Sequence, residues 1–317
     1  MPIVLVIVGL VLLAVGGESL VRGAVSLARR SGLSVLLIGI TVVAAATSRP
    51  ELVVSVQAAL AGNPGIAVGN VVGSNIANLA LGLGTMGVLV PFTVRRWSLW
   101  HDLLALMAAS VAFLGLGLLG SIERAVGALM LLALGYHLWR TYVRDKRERD
   151  AVAALHAEEP IEFLESWSVG FSLAVLAGSS ALLVLGARLL LEGAVPLAEM
   201  WGVSDAVIGA SVVALGTSLP EIATTAAAAL RREHEVALGN LVGSSLFNTL
   251  AILGVTALVR PVPLDPEFVF TNGAIVLGVV AVSAPWLTGR WRFGRRAGFA
   301  FLAGYVLYIA ITTGALG

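Results

Sequence analysis

Two stretches of this chain, 38–84 and 208–254, are copies of one another. Superposed at a shift of 170 residues without a gap, they agree at 21 of 47 positions. Shared apolar composition would produce only a handful of such matches, and many here are polar. They include Thr47/Thr217, Ser48/Ser218, Pro50/Pro220, Glu51/Glu221, Asn70/Asn240, Gly73/Gly243, Ser74/Ser244 and Asn78/Asn248. A chain with such a repeat folds as two related halves. The segment before each copy keeps a trace of the same ancestry. Glu18 and Arg22 fall opposite Arg188 and Glu192, with the charges exchanged, so each helix keeps its own i,i+4 ion pair.

The copies lie in a chain that is 58% hydrophobic and 12% charged, about half the charge density usual in soluble domains. Apolar runs of the ~20 residues needed to cross a bilayer recur along it. Ten spans are expected near 2–26, 34–61, 65–90, 98–119, 122–143, 167–194, 203–230, 235–259, 266–287 and 296–315. The opening MPIVLVIVGLVLLAVGG has no basic residues ahead of its apolar run and no clear small-residue cleavage site. It reads as the first span rather than a signal peptide. Equivalent points of the copies are five spans apart. An odd number inverts the second half, and inverted halves place a transport site near the midplane where they meet. The expected fold is an all-α polytopic membrane protein of ten transmembrane helices in two inverted-topology five-helix repeats. The repeats cover 1–143 and 166–317, joined by a charged linker at 144–165. Glycine pairs at four-residue spacing, Gly69/Gly73 and Gly239/Gly243, favour close helix packing.

Basic residues fall in every second connection: Arg29 and Arg30, Arg95 and Arg96, Arg140 to Arg149, Arg231 and Arg232, and Arg290 to Arg296. The intervening connections hold only Arg124 and Arg260 beside acids such as Glu123, Asp205, Asp265 and Glu267. By the positive-inside rule the basic connections are cytoplasmic and both termini extracytoplasmic. The expected location is the plasma membrane of a prokaryote.

Polar residues inside such spans are costly and mark function. In the second span Ala44, Thr47, Ser48 and Glu51 share one helical face. Pro50 lacks an N–H and crowds the carbonyl of Ala46, so a kink there releases carbonyl oxygens. On the third span Ser74 and Asn78 are i,i+4. The second half repeats the set as Ala214, Thr217, Ser218, Glu221, Pro220, Ser244 and Asn248. Every candidate ligand is an oxygen, the chemistry of hard cations such as Ca²⁺ or Na⁺. Two glutamates in a low-dielectric bundle need one divalent or two monovalent cations, or two protons, for neutrality. That balance suggests exchange of one cargo for another.

Other chemistries lack their residues. There is no cysteine, no GxxxxGK[ST] loop, no HExxH, and the histidines His101, His137, His156 and His234 share no metal-ligand spacing. No enzyme, resident cofactor or nucleic-acid partner is expected; the partners are the transported ions and the lipid bilayer.

At these residues the sequence resembles the cation/calcium exchanger superfamily, which includes the Na⁺/Ca²⁺ exchangers. The two characteristic motifs of that family stand here as ATSRPE with GNVVGSNIAN and as GTSLPE with GNLVGSSLFN. The resemblance implies a ten-helix exchanger with Glu51 and Glu221 as the Ca²⁺ carboxylates. It further implies Na⁺ sites built from Ala44, Thr47, Ser48, Ser74, Asn78, Ala214, Thr217, Ser218, Ser244 and Asn248. The first and sixth helices are implied to slide across a fixed core. Two departures stand out. Asn248 occupies a position that is aspartate in some prokaryotic Na⁺/Ca²⁺ exchangers, leaving two acids and favouring either a different stoichiometry or protons. Arg49 stands where the other repeat has Leu219, about 200° around the helix from Glu51. It is either paired or hydrated away from the ions, or a tethered cation that replaces one bound ion. The function readings are Ca²⁺/Na⁺ antiport, Ca²⁺/H⁺ antiport and, from another class, a cation channel.

Overall fold

The computed structural model describes residues 1–94, 99–155, 167–200 and 214–312. The chain is almost wholly helical, and described helices fall on all ten stretches expected from sequence. Six are long and apolar enough to cross a membrane, or seven if the bent pair Val35–Thr47 and Arg49–Leu60 is one span. Large apolar side chains such as Ile7, Leu118, Leu132, Phe299 and Val306 face outward, whereas Glu51, Glu221, Asn78 and Asn248 are fully buried. This is the inside-out polarity of a protein whose solvent is lipid.

The N-terminal helix, Pro2–Ser31, starts on a proline and stops at Gly32, whose left-handed φ of 65° closes the last turn. The next span is interrupted. Val35–Ile38 is capped by the Ser34 hydroxyl, then π-helical Gly39–Val43 leads into Ala44–Thr47, a break at Ser48, and Arg49–Leu60. The two arms meet at 46°. The proline effect is expressed at Ser48 (ψ 10°), which leaves Pro50 in the tolerant first turn of the second arm. Here the halves differ from expectation. Ala214–Leu230 runs through Pro220 as one helix, so its proline breaks nothing. Residues 201–213, the expected start of that span, lie outside the described residues.

The symmetry returns in the following span. Pro64–Ile76 and His234–Leu246 each pass into a π-helical segment, Ala77–Gly82 and Phe247–Ile252, at matching positions. A π segment widens the helix and leaves ladder carbonyls poorly paired, a device frequent at functional sites. Helix Arg124–Leu155 continues beyond 143 into the first part of the predicted linker, and 156–166 lie outside the described residues. Its polar end is stitched to neighbours. Buried Asp102 meets His137 Nε2 at 3.1 Å and Arg144 at 3.2 Å, while Asp145 accepts the Ser34 N–H at 3.0 Å.

The N-terminal helix and Val169–Met200 cross at glycines: a Cβ on Gly9 would lie 2.6 Å from Leu190 N. Both predicted i,i+4 pairs form, Glu18–Arg22 at 2.9 Å and Arg188–Glu192 at 2.8 Å. The Gly239/Gly243 pair packs against Leu36–Ile40 as expected from its spacing. A Cβ added at Gly69 or Gly73 would meet no described atom within 4 Å; the segment matching Leu36–Ile40 in the other repeat, 206–210, lies outside the described residues.

Candidate cation site

The two copies meet through their polar faces. Thr47, Ser48, Glu51, Ser74, Asn78, Ser218, Glu221, Ser244 and Asn248 are all buried, with Thr217 half-buried and Ala44 without exposure. Ala214 begins the described part of its helix. Hydrogen bonds cross from one repeat to the other. Thr47 donates to Asn240 Oδ1 at 3.1 Å and lies 3.3 Å from the Ser244 hydroxyl. Its counterpart Thr217 donates to Asn70 Oδ1 at 3.3 Å and lies 3.4 Å from Ser74. Ser48 of the first repeat donates to Glu221 of the second at 3.2 Å. The first repeat therefore helps to hold the carboxylate of the second.

Asn70 and Asn240 are the residues whose role the sequence did not disclose. Asn70 donates to the Glu51 carbonyl at 3.1 Å and to Ser55 at 3.0 Å, and Asn240 donates to the Glu221 carbonyl at 3.3 Å and to Thr225 at 3.4 Å. Each amide clamps the helix carrying the glutamate of its own repeat while accepting the threonine of the other. The signal was present as an identical Asn at the 170-residue shift, but only packing shows what the amides touch. Replacing Asn240 with alanine removes these bonds without touching a carboxylate. At about 1–1.5 kcal/mol for such bonds, Ca²⁺ half-saturation should rise roughly five- to tenfold, measured by titration calorimetry on the purified protein.

Several site atoms have no hydrogen-bond partner among the described residues: both Glu51 oxygens, Glu221 Oε2, Ser218 Oγ and both side-chain polar atoms of Asn78 and Asn248. Buried polar atoms are nearly always paired, so a cluster of exceptions calls for an explanation. Two carboxylates and neutral oxygens suit a hard cation that completes their coordination. Among the described residues no group of three or more His, Cys, Asp or Glu forms a metal cluster. Arg49 is exposed on the opposite side of its helix from Glu51 and makes no hydrogen bond or ion pair with a described residue. It takes no place among the candidate ligands.

These features define an integral membrane protein of the ion-exchanger class, with an oxygen-lined site between two repeats. Its sequence matches the profile of the sodium/calcium exchanger protein family over residues 1–143 and 171–314, and the chain belongs to that family. It is 31% identical over 312 residues to the inner membrane protein YrbG of Escherichia coli, covering 97% of this chain and 95% of that one. It is 29% identical over 343 residues to the sodium/calcium exchanger MaX1 of Methanosarcina acetivorans, covering 97% of each. Its fold superposes on a solved structure of the sodium-calcium exchanger NCX_Mj, soaked with Na⁺ and Ca²⁺, with a TM-score of 0.81. The two are 29% identical, and the match covers 98% of this chain and 97% of the other.

Proposed function

We propose that this protein is a secondary active antiporter that exchanges Ca²⁺ for Na⁺ across the membrane by alternating access. The observation that carries the reading is the buried pair Glu51 and Glu221, with unpaired oxygens, ringed by the hydroxyls and amides of both repeats. Glu51 and Glu221 bind Ca²⁺. Thr47, Ser48, Ser74, Asn78 and the Ala44 carbonyl, with Thr217, Ser218, Ser244, Asn248 and the Ala214 carbonyl, complete that shell or hold Na⁺. The framework is ten spans in two inverted repeats, 1–143 and 166–317, joined by a cytoplasmic linker at 144–165, with both termini outside a prokaryotic plasma membrane.

Charge balance makes the exchange obligatory. Two uncompensated carboxylates in a low-dielectric interior repel each other and are poorly solvated. One Ca²⁺ relieves both, as do two or more Na⁺, so the carrier reorients readily only when loaded. The neutral hydroxyls and amides retained in both repeats favour Na⁺ as the counter-ion, because protons would need only the glutamates.

The test is Ca²⁺ flux in proteoliposomes under an imposed Na⁺ gradient and, separately, a pH gradient. The expected result is uptake driven by outward Na⁺ and little by pH alone. Flux driven only by the pH gradient overturns Na⁺ as the counter-ion, and rapid Ca²⁺ uniport without any counter-ion overturns antiport itself.

A further inference from the structure

Two of the arginines that break the repeat, Arg49 and Arg231, favour the same arrangement of the N-terminal helix and its symmetry mate. Along the second span, Ala45, Arg49, Val53 and Gln57 form an i,i+4 stripe on the side away from the ion site, and all four are exposed, Val53 at 52%. Their counterparts are Leu215, Leu219, Ala223 and Ala227. These four are half-buried and packed into the core. The N-terminal helix lies against Ala214–Leu230, so close that a Cβ on Gly17 would stand 2.9 Å from the Ala223 carbonyl oxygen. The covered stripe is wholly apolar, and the uncovered one carries a guanidinium and an amide.

The symmetry mate of the N-terminal helix is Val169–Met200. It crosses the N-terminal helix along its length and, beyond that helix, touches the first repeat mainly at Ala44–Thr47, with no comparable run of contacts along Arg49–Leu60 among the described residues. The crossed pair therefore leans on the second repeat. One ion pair fastens it there: Glu18 of the N-terminal helix accepts from Arg231 Nε at 2.6 Å, just past Ala214–Leu230. At the mate positions stand Arg188 and Ala61, which have no such bond to make.

We propose that Arg49 biases the access equilibrium of the carrier, opposing the state in which Val169–Met200 seats on the first repeat. This rests on the alternating-access reading above. Exchanging the roles of the halves lays Val169–Met200 over Ala45, Arg49, Val53 and Gln57. The segment that then faces Arg49, the mate of Leu13–Gly17, is Leu183–Ala187, entirely apolar. Covering a guanidinium that has no partner among the described residues with it carries a desolvation cost, whereas the other half covers Leu219 at no such cost. The same move breaks Glu18–Arg231. Arg49 thus acts as a positioning residue through the helix it repels, and it shifts populations without touching an ion.

The chain contains no cysteine, so single-cysteine accessibility can be read directly. Gln57→Cys and Ala227→Cys are each placed alone in nanodisc-reconstituted protein without Ca²⁺ and labelled with a membrane-impermeant maleimide. The expected result is fast labelling at position 57 and slow labelling at 227. Adding Arg49→Leu should slow the first and speed the second, changing their ratio at least fivefold, and Arg49→Lys, which keeps the charge, should restore it. An unlabelled Gln57→Cys, an unchanged ratio in Arg49→Leu, or Arg49→Lys behaving like Arg49→Leu overturns the proposal. Labelling needs no transported ion. A shifted ratio in a protein without Na⁺-driven Ca²⁺ flux would leave the bias standing and remove the cargo assignment.

Discussion

Replacing Glu51 with glutamine is expected to abolish Na⁺-driven Ca²⁺ flux, and Glu221→Gln is expected to do the same. Each substitution keeps the volume and removes one of the two negative charges available to a divalent ion. Deleting one member of a buried, interacting charge set costs about 2–5 kcal/mol or more, at least thirtyfold in affinity. For Glu221 the remaining amide oxygen still accepts the Ser48 hydroxyl, 3.2 Å away in the native protein, so the effect reports charge rather than lost packing. The companion measurement is thermal stability. Two buried carboxylates with unpaired oxygens burden the ion-free protein, so Glu51→Gln without Ca²⁺ should melt at or above the native temperature. The Ca²⁺-induced rise in melting temperature, a linkage effect of binding to the folded state, should disappear. A variant that melts lower and still gains stability from Ca²⁺ would remove Glu51 from the site.

The second large effect is expected at Gly243. A Cβ there would lie 2.5 Å from the Ile40 carbonyl oxygen, 2.7 Å from Ile40 Cα and 2.9 Å from Ala44 Cβ. Two of these three atoms belong to the backbone, so no side-chain rotation relieves the clash. Gly243→Ala must push His234–Leu246 away from the π-helical Gly39–Val43. Overpacking of this kind costs about 2–3 kcal/mol. The displacement also separates Ser244 from Thr47, now 3.3 Å apart across the repeat interface. Both a lower melting temperature and a weaker Ca²⁺ half-saturation are expected, on the same purified sample. Unchanged values for both would mean that the two helices do not approach here as closely as Gly243 and Ile40 indicate.

Much of the architecture was legible before any coordinates. Apolar runs separated by polar connections locate helices because each span must satisfy its own backbone in lipid. The repeat told which polar positions belong together. The ion pairs Glu18–Arg22 and Arg188–Glu192 formed as read, since i,i+4 contacts depend only on local helix geometry. Proline was less informative. Pro50 accompanies a break and Pro220 sits in a continuous helix, because the neighbours of a helix decide whether a missing hydrogen bond becomes a bend.

The sequence by itself determined the membrane class and the duplication, and it marked the polar face of each copy, whose side chains offer only oxygen and amide groups. These follow from composition and from periods of three and four residues, which are properties of one helix at a time. Only the tertiary structure decided that Ser48 serves Glu221, that Asn70 and Asn240 clamp both repeats, and that Glu18 reaches Arg231. Those contacts join residues 147 to 213 positions apart. They depend on how rigid helices pack, which no local pattern encodes. The same holds for Arg49: sequence marked it as the exception to the repeat, and packing showed that its stripe is the one left uncovered.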